Sequence, residues 1–194
     1  MKRSLTAILA AALLCLSAAA QEKSTPKKSA PMPPMPKPAP EMNELRQLAG
    51  NWTSDEQYEA NPMSPAGTGS GTNVARLGPG GFSILMEQRS KGTMGNFSGH
   101  GVYSWDPAEK IYKVAWVDSM TPGIASETGK KEGDTLVFTG SAMVNGKKVA
   151  LRDVWSDFTP TSHTLTSYAN DGTGEKKVMT VKFTKAEPAA PAKK

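Results

Sequence analysis

Two alternating runs set a carboxylate among large apolar side chains. Tyr112, Val114, Trp116 and Asp118 stand at every second position, as do Val149, Leu151, Asp153 and Trp155. A period of two puts each set on one face of a β-strand. If these faces turn inward, an acid sits in a mostly apolar lumen, where it must be paired or protonated. Arg76, Arg89 or Arg152 is then the natural counter-ion. Two outcomes are open: a rim carboxylate or structural ion pair, or a polar anchor for a ligand. In the second, Trp116, Trp155, Tyr112 and Phe82 grip an apolar body and Asp118 holds its polar end. Glu87 shares a face with Arg89, opposite Phe82, Ile84 and Met86; paired with Asp118 or Asp153 it has the groups for acid and base work.

Other chemistries lack their parts. The one cysteine, Cys15, lies in the N-terminal apolar run, so a chain processed behind that run has neither thiol nor disulfide. No Gly-x-Ser-x-Gly occurs, which removes the nucleophile elbow of the α/β-hydrolases. The only histidines, His100 and His163, are read as surface or strand-end residues, and their spacing offers no zinc site.

The elements that must position these groups occupy the middle of the chain. Residues 1–20 have a basic start (Lys2, Arg3), an apolar run and small residues at Ala18–Ala20 before Gln21. This is the pattern of a secretory signal peptide, too short in its apolar part to span a membrane. Leu14 before Cys15, where lipoprotein boxes want a small residue, argues against lipidation. Residues 21–40 hold 7 prolines and four lysines, a spacer without the apolar content to fold, and 186–194 form a similar tail. The formal charge is +5, yet residues 41–185 carry 15 Lys and Arg against 16 Asp and Glu, a net of −1. A basic surface for nucleic acid is therefore not expected; the basic spacer could touch anionic envelope polymers.

All 18 glycines and all the aromatic residues fall within 41–185. The glycines recur about every ten residues, the rhythm of turns between short strands. Met42, Leu45 and Leu48 predict one or two turns of helix ending near Gly50. Period-two runs then begin at Asn51, Thr72, Phe82, Asn96, Ile111, Ile124, Thr135, Lys147, His163 and Lys176. The reading is all-β: about ten antiparallel strands curling into an up-and-down barrel, since closure removes exposed edges.

Leu48-Ala49-Gly50-Asn51-Trp52 is similar to the Gly-x-Trp opening of lipocalins and the wider calycin barrels. In that likeness Gly50 and Trp52 form the barrel base. Together with Gly99-His100-Gly101-Val102-Tyr103-Ser104-Trp105-Asp106 and Tyr112-Lys113-Val114-Ala115-Trp116-Val117-Asp118-Ser119-Met120, the chain resembles the bacterial domain-of-unknown-function 1579 family of secreted proteins. The resemblance implies a calycin-like barrel and export into the periplasm or beyond, with no established activity and no catalytic residue. Some calycin barrels, the nitrobindins, hold haem through a histidine on a late strand, which makes His163 an alternative haem ligand; otherwise no cofactor or metal is expected.

The functional expectation is non-catalytic binding of a small apolar ligand inside the barrel. Its alternatives are a packed structural or interaction domain of the cell envelope, and a haem-binding or acid/base enzyme.

Overall fold

The computed structural model describes residues 34–61, 65–144 and 146–187. The chain divides into two units, Met1–Met35 and Pro36–Lys194, and the barrel belongs to the second. The expected leader (1–20), most of the spacer and the tail from 188 onward lie outside the described residues.

A short helix, α1 (Met42–Arg46), precedes ten strands: β1 (Gly50–Tyr58), β2 (Gly67–Leu77), β3 (Ser83–Gly92), β4 (Gly95–Asp106), β5 (Ile111–Asp118), β6 (Ala125–Glu132), β7 (Thr135–Val144), β8 (Lys147–Ser156), β9 (Ser162–Asn170) and β10 (Glu175–Lys185). Each pairs antiparallel with its neighbours in sequence, and β1 pairs with β10, so the barrel is closed. The up-and-down ten-stranded barrel expected from the turn rhythm is the fold.

Alternation decides which side chains enter. Trp52, Ser54 and Glu56 of β1 are buried while Asn51, Thr53 and Asp55 between them are exposed, and β6 repeats this with Glu127 and Gly129. The antiparallel order puts the starts of β1, β3, β5, β7 and β9 at one end of the barrel, together with α1. That end is filled. Met42, Leu45 and Leu48 from the helical segment pack with Trp52, Ile84 and Leu136 in the buried cluster. Fully burying such side chains stabilises by about 1.5–3 kcal/mol each. Trp52 fastens the plug, its indole N–H donating to the Leu48 carbonyl at 2.9 Å. A Cβ at Gly50 would stand 3.0 Å from the Trp52 ring, so the small residue is a packing requirement of that tryptophan.

The strand starts agree with those expected from the sequence to within one residue, except that of β2. β2 begins at Gly67 rather than Thr72, because Gly67, Gly69 and Gly71 pair across the ladder with Tyr58, Glu56 and Ser54. Glycine has little β-propensity, but a Cβ at Gly69 would stand 2.8 Å from Glu56 Oε2, so the neighbour's side chain covers the bare backbone.

Candidate functional site: a cavity with an acidic wall

Above the plug the barrel is hollow. A cavity of about 500 Å³ runs to the opposite end, where Tyr58, Met94, Phe97 and Met120 surround it. It stays open because small residues face inward where large ones would meet. At Gly99 and Gly101 an added Cβ would lie 2.3 and 2.7 Å from the Trp116 ring, so this indole lies flat on the bare backbone of β4. Most of the remaining wall is apolar: Val114, Leu165, Val181, Met86 and Trp155. A volume of this size falls in the range of small-molecule sites.

Polar groups enter on two sides. On β1–β3, the Gln88 amide donates to Ser54 Oγ and to Glu56 Oε1, both at 2.9 Å, and the Tyr58 hydroxyl donates to Glu56 Oε2. Burial and then the Glu56 carboxylate push the Tyr58 phenol well up, so it remains a donor. Beside Gln88 in the ladder stands Asn73, only 1% exposed, with neither amide atom hydrogen-bonded.

The second side is acidic. Glu127 of β6 pairs with Gly140 of β7, which pairs with Leu151 of β8, and Asp153 is two residues along β8 on the same inward face. An added Cβ at Gly140 would come within 2.6 Å of Glu127 Cγ, so Glu127 leans over the glycine toward β8. Burial raises the pKa of Glu127, and the charge of Asp153 raises it further. Burial also raises Asp153, against a hydrogen bond from Ser167 that pulls the other way. Their influence reaches Tyr103, whose phenol is pushed far up by burial and then by these two carboxylates. Two acids that cannot both ionise at low cost hold a proton readily.

Of the residues singled out in the sequence, Val114, Trp116, Asp118, Leu151, Asp153 and Trp155 line the cavity. Asp118 accepts from the Trp116 indole at 3.1 Å and from the amides of Met120 and Thr121 at 2.8 and 2.7 Å, so it shapes the mouth. Tyr112 lies in the plug instead, donating to the Glu41 carbonyl at 3.1 Å, with its phenol raised to about 12 by burial. Phe82 is 40% exposed at the end of the tight turn Pro79–Gly81; strand alternation starts only at Ser83, so parity with Ile84 does not carry it inward. Glu87 faces outward in an ion pair with Arg89, which lowers its pKa. Gly50 and Trp52 stand at the plugged end.

Two expectations need correction. None of the three arginines enters as counter-ion: Arg152 is outside, bidentate on Glu175 and stacked 3.9 Å above Tyr168, Arg89 pairs with Glu87, and Arg76 is exposed. His163 is not a surface histidine. It is 2% exposed, 4.4 Å from the Trp52 ring and 4.8 Å from Phe183, and burial lowers its pKa to about 4. This neutral imidazole sits among plug aromatics and does not line the cavity, so the residues present do not fit a haem ligated there. The sequence reading also passed over Glu127, Asn73 and Gln88. Glu127 was marked by Ala125, Glu127 and Gly129 at alternate positions, but with no large apolar neighbour nothing declared that face inward.

The family model described as a protein of unknown function, DUF1579, matches residues 37–185. No curated protein sequence matches the chain. Among solved structures the chain is similar to Rv2717c from M. tuberculosis, with a TM-score of 0.60 at 14% identity, covering 78% of this chain and 100% of that one. It is also similar to the S-type phycobiliprotein lyase CPES from Guillardia theta, with a TM-score of 0.51 at 12% identity, covering 75% and 92%. At these identities the likeness is one of fold.

Proposed function

Because the chain belongs to the DUF1579 family, whose description assigns no activity, we propose from the geometry that its barrel is a receptacle for a small, largely apolar ligand. The carrying observation is the cavity of about 500 Å³ that opens at one end and is stopped at the other by the α1 plug. Small barrels either fill their interior with side chains or keep a site. Here inward glycines at 99, 101 and 140 hold the space open, which favours the receptacle over the packed envelope domain.

We further propose that the receptacle works outside the cytoplasm. The basic start, apolar run and Ala18–Ala20 of the sequence support this reading; N-terminal sequencing of the native protein should then begin at Gln21.

The binding proposal is tested with Nile red, a neutral apolar dye. Saturable fluorescence enhancement with one site per chain is expected, lost in Val114→Trp, which fills the cavity. Absence of saturation, or saturation untouched by the filling variant, would remove the reading.

A further inference from the structure

Four carboxylates line the cavity, Glu56, Asp118, Glu127 and Asp153, and among the described residues no Lys, Arg or His lines it. Two are already engaged. Glu56 receives Gln88, Ser54 and Tyr58, and Asp118 receives Trp116 and two backbone amides. The others are not. Glu127 has no hydrogen-bond partner among the described residues, and Asp153 has only the Ser167 hydroxyl.

A second, independent feature points the same way. Asn73 is enclosed in the cavity wall, only 1% exposed, with both amide atoms unpartnered, and the neighbouring Gln88 leaves Oε1 unpartnered. Buried polar atoms are ordinarily satisfied, so each such atom asks for an explanation. The free groups are mostly acceptors: the carboxylates of Glu127 and Asp153 and two amide oxygens, against one amide NH₂. A hydrocarbon would leave them all unpaired, and an anion would meet like charge.

We infer that the cavity is built for an organic cation, a protonated amine carried on an apolar body. An ammonium brings three N–H donors and the missing positive charge. Its body would lie along Leu165, Val114 and Val181, and Trp116 offers an indole face of the kind that attracts cations. Gly140 has a part in this, because only a residue without Cβ lets Glu127 lean toward Asp153.

The inference rests on the receptacle reading, and the test separates their failures. Calorimetric titration of the full-length chain with octylammonium, 1-octanol and octanoate compares one body with three heads. Octylammonium should bind at least about tenfold more tightly than octanol, with octanoate weakest. The near-isosteric double variant Glu127→Gln with Asp153→Asn should bring octylammonium within about twofold of octanol. If octanol matches octylammonium in the native chain, or the double variant keeps the preference, the cation inference is overturned while the receptacle stands. Saturation by Nile red with no binding of any of the three octyl probes overturns it as well. If Nile red also fails, both readings fall.

Discussion

The two ends of the barrel interior resist opposite protonation changes. At the plugged end His163 stacks on Phe183 and meets Trp52 edge-on, and burial disfavours its charged form. Toward the open end Glu127 and Asp153 stand in the cavity wall, and burial again disfavours the charged form, which for an acid means keeping the proton. The same loss of water thus keeps a proton off the imidazole at one end and favours a proton shared by the two acids at the other. The lesson is that the plug is built for stability alone, whereas the cavity retains groups a purely structural core would replace with hydrocarbon.

The largest test of this contrast is truncation. Phe138→Ala in the plug should destabilise by about 3–5 kcal/mol in urea unfolding, because rigid surroundings leave a void. Leu165→Ala, in a wall that already borders open space, should cost distinctly less. Equal costs would erase the division into plug and receptacle.

Next in size is the acid response of His163. Its folded pKa lies below the unfolded value of 6.5, so the unfolded chain gains a proton that the folded chain declines. Stability contributed by the neutral ring is full above pH 6.5 and is lost as pH falls from there toward about 4, by roughly 3 kcal/mol. His163→Phe should abolish that component of the pH dependence, measured by denaturant unfolding at pH 7 and pH 4.

The carboxylates titrate the other way. Their folded pKa values are raised, so their contribution is greatest when both states are protonated and falls as pH rises through and above the ordinary carboxylate range. The groups facing the pair are Tyr103 of β4 and Ser167 of β9; Val114 of β5 and Gly140 of β7 beside Glu127 carry no charge. Glu127→Gln should therefore stabilise the empty barrel at pH 8, by roughly 1–2 kcal/mol, and little at pH 4. A variant less stable than the native chain at pH 8 would mean that an unseen cation partner exists.

The smallest effects sharpen the boundary of the site. Phe82→Ala and Glu87→Gln lie outside the cavity and should leave Nile red affinity unchanged within about twofold. A larger loss in either would extend the receptacle beyond the barrel interior.

Strand count, the closing helix and the base tryptophan were legible because each has a local signal: glycine rhythm, three-residue apolar steps and the Gly-x-Trp start. Trp116, Asp118 and Trp155 were legible because bulky apolar neighbours at alternate positions mark an inward face. Phe82 shows the limit of that argument, since a tight turn ends the alternation one residue before the strand. Glu87 shows another, since a carboxylate beside an arginine looks alike in sequence whether it faces the lumen or water.

The sequence by itself determined an antiparallel barrel, because alternation and turn chemistry act over a few residues. Only the tertiary structure decided that Glu127 and Asp153 share one wall, that Asn73 is left without a partner, and that His163 is enclosed by rings. Those relations join strands far apart in the chain, and they depend on which small residues leave space between them. No local pattern records the volume that glycines at 99, 101 and 140 vacate on closing the cylinder.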